Sequence, residues 1–278
     1  MSYIISVDRL KNRLENNLNN TLIVDVRFQL NDENAGQKTY LESHIPGAVY
    51  LDLKKDLSAK PAKHGGTHPL PDTDTFAAKM GNIGIDEETT VVVYDQNNGM
   101  FAPRFWWMLH HLGHDKVYVL DGGFDAWVEA GYETTAEIPD LNPTTFTPNP
   151  RQDETVDIDD VKQRSDDVLL IDSRSHERYM GENEPMYSRA GHIPGAKNYF
   201  WKNVLDEKGN WKTKDDLAEN FKDIPKDTEV IVSCGSGVSA CPNVLGLKAA
   251  GYTNVKLYPG SFSDWISYEE IPVNKGEE

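Results

Sequence analysis

The sequence predicts an α/β protein made of two copies of one domain, each a mainly parallel sheet flanked by helices. Three observations carry this. Short apolar runs ending in polar residues recur at TLIVDVR (21–27), TTVVVYD (89–95), KVYVLDGG (116–123), VLLIDSR (168–174), TEVIVSC (228–234) and NVKLYPG (254–260). Runs that are apolar throughout suit strands covered on both faces, as parallel strands are. Between them lie APRFWWMLHHLG (102–113), KTKDDLAENFKDI (212–224) and SACPNVLGLKAAG (239–251), with helical spacing and nearby Pro or Gly breakers. Finally, landmarks recur in the same order, which marks an internal duplication. Asp25-Val26-Arg27 answers Asp172-Ser173-Arg174, and HIPGA at 44–48 answers HIPGA at 192–196. VVYD ending at Asp95 answers IVSC ending at Cys234, and GGFDAW (122–127) answers GSFSDW (260–265).

A stretch rich in Pro, Thr and Asn separates the copies and reads as an extended connection. The expected organisation is an N-terminal domain over 1–136, a linker over 137–153 and a C-terminal domain over 154–278.

Composition narrows the chemistry. Among 278 residues the hydrophobic share is 38%, the charged share 26% and the formal net charge −17. Such an acidic chain repels nucleic acid, and an anionic substrate needs a local cationic pocket. No apolar run is long enough to span a bilayer. The opening MSYIISVDRLKNRLENN has no basic segment leading into an apolar one, so the expected location is the cytoplasm. Two cysteines make no disulfide framework, and no Cys/His cluster has metal-ligand spacing, so neither a metal nor an organic cofactor is expected.

The loop CGSGVSA, beginning at Cys234, is the candidate reactive site. It follows an apolar strand and leads into a helix, and in open α/β sheets such strand ends bind ligands. Gly235 and Gly237 permit backbone conformations in which successive N–H groups turn inward as an anion nest, favouring a thiolate or persulfide. The first copy has Asp95 at the same place, which leaves one soft nucleophile and makes the first copy a supporting partner. A phosphatase-like Cys-x5-Arg loop needs an arginine at position 240. Ala240 stands there, and the bidentate oxyanion anchor is missing.

Together the duplicated HIPGA segments, APRFWW, LDGGFDAW and CGSGVSA resemble the two-domain rhodanese-type sulfurtransferases over nearly the whole chain. The resemblance implies two rhodanese folds of which the C-terminal one is catalytic and the N-terminal one, with Asp95, is not. Cys234 then takes sulfane sulfur from a small-molecule donor as a persulfide. It yields the sulfur to a thiol, such as a thioredoxin-like protein or a low-molecular-weight thiol, or to cyanide. The loop is similar to the CGSG loop of the 3-mercaptopyruvate branch, whereas thiosulfate enzymes carry basic residues after the cysteine. Thiosulfate:cyanide sulfurtransferase is the alternative reading, and a non-catalytic sulfur-binding or regulatory module is a second.

By the same resemblance Gly235, Gly237, Val238 and Ser239 cradle the transferred sulfur and Arg178 in HERYMG grips the donor's carboxylate and keto oxygens. The family's second arginine follows a Glu-Pro pair. Here Met186 follows Glu184-Pro185, so Arg189 either substitutes or merely precedes GHIPGA. Ser236 matches a loop serine that works with a histidine and an acid. His68 in THPLP is the candidate histidine, with His64 as competitor. Lys54 stands at the acid's position, leaving Asp52 as the candidate, with Asp56 near. Arg104 and Cys241 read as packing residues, and His44 and His192 as turn residues that stabilise the fold.

Overall fold

A computed structural model describes residues 3–16 and 20–277, so residues 1, 2 and 17 of the opening stretch, and 278, lie outside the described residues. The chain forms two compact units. The first comprises Met1–Ala59, Pro71–Arg151 and Leu205–Trp211; the second comprises Lys60–Leu70, Gln152–Val204 and Lys212–Glu278. The units therefore do not follow the repeat boundary strictly: a loop from each half of the sequence is built into the other unit. No described helix is long and apolar enough to cross a membrane.

In the first unit five parallel strands are ordered β1-β5-β4-β2-β3, with β1 Ile4–Ile5, β2 Thr21–Asp25, β3 Ala48–Tyr50, β4 Thr90–Tyr94 and β5 Val117–Leu120. The second unit has four parallel strands in the order β7-β6-β8-β9, with β6 Leu169–Asp172, β7 Lys197–Asn198, β8 Val230–Ser233 and β9 Val255–Leu257. All six apolar runs hold a strand. The three helical segments fold as Phe101–His111, Lys214–Asn220 and Cys241–Ala249. The strands without a sequence signal are β1, β3 and β7, each two or three residues long and too short for a periodic pattern.

The recurring landmarks form one physical device in each unit. Arg27 is buried and ion-paired to Asp25 at 2.7 Å, and Arg174 to Asp172 at 2.6 Å. Each guanidinium donates to the carbonyl just before the HIPGA histidine, Ser43 at 2.7 Å and Gly191 at 2.6 Å. Each also lies over the phenylalanine of the GxFxxW segment, Phe124 at 4.1 Å and Phe262 at 4.0 Å. The histidines stack on Tyr40 and Tyr179, whose hydroxyls donate to Ala48 and Ala196 at the end of HIPGA. Trp127 and Trp265 donate to the carbonyls of Glu133 and Pro272. A buried charge is tolerated only when paired and hydrogen-bonded, so Asp-x-Arg, HIPGA and the aromatic segment must persist together. His44 and His192 thus act as stacking and turn residues.

The Pro-rich stretch before residue 152 is extended but pinned to the first unit. Thr135 and His44 exchange backbone hydrogen bonds, Thr144 N–H donates to Gly81 at 2.8 Å and Asn149 N–H to Leu112 at 2.9 Å, while Phe146 is buried.

Candidate active site around Cys234

The second unit presents Cys234 at the end of β8, which pairs with β6 on one side and β9 on the other. Its neighbouring peptide groups are clamped by the GSFSDW segment. Cys234 N–H donates to Ser261 Oγ at 3.0 Å, Cys234 C=O accepts from Phe262 N–H at 3.0 Å, and Gly235 C=O accepts from Ser263 N–H at 2.8 Å. Ser261 Oγ in turn donates to Tyr258 C=O at 2.8 Å and lies 4.0 Å from Cys234 Sγ. Ser261 holds φ +52, a left-handed conformation that costs a side-chain-bearing residue about 1 kcal/mol or more. The clamp compensates. Cys234 is 1% exposed, so its thiol sits at the floor of its loop.

The loop itself turns at Gly237, with φ +75 and its Cα against Pro259, where a Cβ would overlap the carbonyl oxygen. Among the described residues none accepts a hydrogen bond from the backbone N–H of Ser236, Val238, Ser239 or Ala240. Cys241, at the first position of the following helix, donates its S–H to Gly237 C=O at 3.3 Å. The corresponding loop of the first unit shows what such amides do. There the Asp95 carboxylate accepts from Gly99, Phe101 and Ala102 N–H at 2.8, 3.2 and 3.1 Å. Asn98 takes the left-handed turn, with φ +55. The first copy's anion nest is filled by its own side chain.

The segment 60–70 belongs to the second unit. Gly65 N–H donates to Asp264 Oδ1 at 2.7 Å and Thr67 N–H to Ser263 Oγ at 3.1 Å. His64 Nδ1 lies 2.7 Å from Ser267 Oγ, with its ring stacked on Tyr268. His64 thereby anchors the loop, and His68 meets the cysteine loop: its Nδ1 is 3.0 Å from Ser236 Oγ. Asp52 lies in the first unit, where its carboxylate accepts the Lys54 and Lys55 amides at 2.8 and 2.9 Å and its N–H donates to Asp56. Lys54 pairs with Glu33 and Lys79 with Asp56. Arg104 is buried in the helix Phe101–His111 of the same unit.

Arg178 stands in the middle of the short helix His176–Met180. Its Nε and Nη2 grip Glu184 at 3.0 and 2.9 Å, while Glu184 also receives Arg174 Nη1 at 3.1 Å. Asp172, Arg174, Glu184 and Arg178 so form a chain of alternating charges below the loop. Burial opposes the charge on Arg174, but Asp172, Glu184 and Cys234 outweigh it and hold its pKa above the ordinary value. The Glu184 contact uses one edge of the Arg178 guanidinium and leaves Nη1 with donors to spare. Arg189 donates Nη2 to Ile271 C=O at 2.7 Å, and its Nη1 is buried with no hydrogen-bond partner among the described residues.

Nothing in the sequence pattern marks Tyr187, yet it is the aromatic group against the reactive loop. A Cβ built on Gly235 would stand 2.7 Å from Tyr187 Oη. The ring lies edge-on to Phe262, and the Arg178 guanidinium sits 5.4 Å from its centroid. Burial, then the charge of Cys234, pushes the phenol's pKa up; the Thr67 and Ser236 hydroxyls face it as hydrogen-bonding neighbours. Glu184 entered the sequence reading only as half of the Glu-Pro landmark; its pairing with Arg178 and Arg174 had no signal, since they lie six and ten residues away and follow no helical spacing.

A family model described as Rhodanese-like domain matches residues 6–130 and again 157–268. Over 265 residues the chain is 40% identical to a protein of Pseudomonas aeruginosa named "Probable 3-mercaptopyruvate sulfurtransferase", covering 92% of this chain and 93% of that one. It is 32% identical over 298 residues to thiosulfate/3-mercaptopyruvate sulfurtransferase 2 of Arabidopsis thaliana, covering 97% and 86%. The crystal structure of the 3-mercaptopyruvate sulfotransferase SseA from Escherichia coli superposes with a TM-score of 0.82 at 33% identity, covering 95% of this chain and all of that one.

Proposed function

The chain belongs to the rhodanese-like domain family and is a sulfurtransferase, and on that premise we propose that it moves sulfur from 3-mercaptopyruvate through a persulfide on Cys234. The observation that carries this reading is the ring of groups about the cysteine loop: Arg178, Ser236 and His68, with the amides of Ser236, Val238, Ser239 and Ala240 meeting no acceptor among the described residues. The neutral pair Gly235-Ser236 suits a donor with a single carboxylate. The first copy, with Asp95 in its nest, is catalytically silent.

Cys234 thiolate attacks the donor's sulfur; an S–S bond forms and the C–S bond breaks. The electron pair of that bond passes into the adjoining keto group as an enolate. Ser236 and His68, 3.0 Å apart, carry the proton of the donor's S–H to the enolate carbon, giving pyruvate and a persulfide anion with no net proton change. The loop amides hold that anion. Arg178 binds the carboxylate through its Nη1 edge while Glu184 fixes the other. Asp52, whose Oδ1 accepts the Lys54 and Lys55 amides, is the candidate third member of this relay.

A thiol then attacks the outer sulfur and regenerates Cys234. Thioredoxin-like proteins, small thiols and cyanide fit this step. Both cysteines are free thiols, the form a reducing cytoplasm maintains. Thiosulfate is the second reading, favoured by the double name of the Arabidopsis relative.

The direct test is intact mass after donor treatment. One added sulfur is expected on the wild type and none on Cys234→Ala, which should release no pyruvate. Wild-type turnover by that variant refutes the role of Cys234, and a higher kcat/KM for thiosulfate than for 3-mercaptopyruvate reverses the choice of donor.

A further inference from the structure

We propose that Tyr187 is a specificity-determining residue, its hydroxyl donating a hydrogen bond to the keto oxygen of the donor as that oxygen becomes an enolate. The inference rests on the 3-mercaptopyruvate reading and deepens it.

The segment from Glu184 to Arg189 delivers two groups to different partners. Arg189 reaches the Ile271 carbonyl, whereas Tyr187 Oη lies against Gly235, the residue directly after the nucleophile. The ring is held by Phe262, which Cys234 C=O and Arg174 also hold, so the hydroxyl has little freedom to move. Arg178, held by Glu184, stands 5.4 Å from the ring centroid, and Ser236, which meets His68, is a hydrogen-bonding neighbour of the phenol. A monoanionic α-keto acid needs one cation for its carboxylate and one neutral donor for its carbonyl. Arg178 and Tyr187 provide that pair.

The reacting electrons explain why the phenol matters. When the S–C bond of the donor breaks, its pair is delocalised onto the keto oxygen, so a donor aimed there binds the transition state more strongly than the ground state. Tyr187 keeps its proton throughout; the proton added at carbon comes through Ser236 and His68. Because burial and Cys234 raise the phenol's pKa, it remains a donor across the neutral range. Thiosulfate and inorganic polysulfide carry no keto oxygen and gain nothing from it.

The test compares wild type with Tyr187→Phe, which keeps the ring and its packing. With 3-mercaptopyruvate, kcat read by pyruvate release should fall by roughly 100-fold, with KM changed far less. Loading of Cys234 by inorganic polysulfide, read by intact mass, should proceed at the wild-type rate, and the melting temperature should not move. An undiminished kcat in the variant overturns the proposal, as does an equal loss with both donors, which would mark a packing role. If the wild type releases no pyruvate while polysulfide still loads Cys234, the donor reading fails and the proposal falls with it. A wild type that turns over and a variant that matches it sink the role of Tyr187 alone.

Discussion

Replacing Gly237 by Ala tests whether the geometry of the cysteine loop, rather than its composition, makes the site. Two costs add. With φ +75, an L-residue at this position pays about 1–2 kcal/mol for the left-handed conformation. The new Cβ would also overlap Pro259 C=O and stand 3.0 Å from the Pro259 carbonyl carbon and Cα. Both are backbone atoms, joined within two residues to the Ser261 clamp, so the loop must give way. The expected destabilisation is on the order of 2–4 kcal/mol. A displacement approaching 1 Å of the cradle lowers kcat about 100-fold. Gly251→Ala supplies the control, since Gly251 has φ +96 but no atom within 4 Å of its Cβ position; it isolates the conformational cost and leaves the loop alone. Urea unfolding midpoints and pyruvate release measured on both variants decide the matter. If Gly237→Ala is no less stable than Gly251→Ala and turns over at the wild-type rate, the rigid-cradle argument is wrong.

Ser236→Ala and His68→Gln should each lower kcat for 3-mercaptopyruvate roughly 10- to 100-fold, and the double variant should be little worse than either single one, because the two act through one contact at 3.0 Å. Additive losses in that cycle would separate them into independent roles. In the first unit, burial raises the pKa of Asp95, and the amides of Ala102, Gly99 and Phe101 oppose it. A carboxyl with a raised folded pKa binds more protons folded than unfolded. Its contribution is therefore fully present below the unfolded value and is lost as pH rises through the folded one. The stability of wild type relative to Asp95→Asn should decline from the ordinary carboxyl range upward and then level off. Denaturant titrations of both proteins between about pH 3 and 7 that run parallel would contradict this.

Much of the fold was legible because its strands are buried on both faces and therefore apolar throughout, as at VVVY before Asp95 and VIVS before Cys234. The duplication was legible because Asp-x-Arg, HIPGA and the aromatic segment depend on one another through a buried charge. What escaped notice was set by contacts between residues distant in sequence. KPAKHGGTHPLP has no periodicity, and its seat in the second unit comes from Gly65 and Thr67 amides meeting Asp264 and Ser263. Tyr187 is a lone loop tyrosine whose place depends on Gly235 lacking a side chain. Periodicity left His64 and His68 undecided; their contacts differ, His64 meeting Ser267 and His68 meeting Ser236 of the cysteine loop.

The seating of residues 60–70 in the second unit also bears on how such a duplicated chain can change. A repeated domain is ordinarily expendable, because a deletion that removes one copy leaves the other whole. Here shearing the gene between the repeats would separate the Cys234 loop from His68 and strip Asp264 and Ser263 of the loop that caps them. The copy that carries Asp95 is thereby protected from loss, because the other unit includes part of its chain.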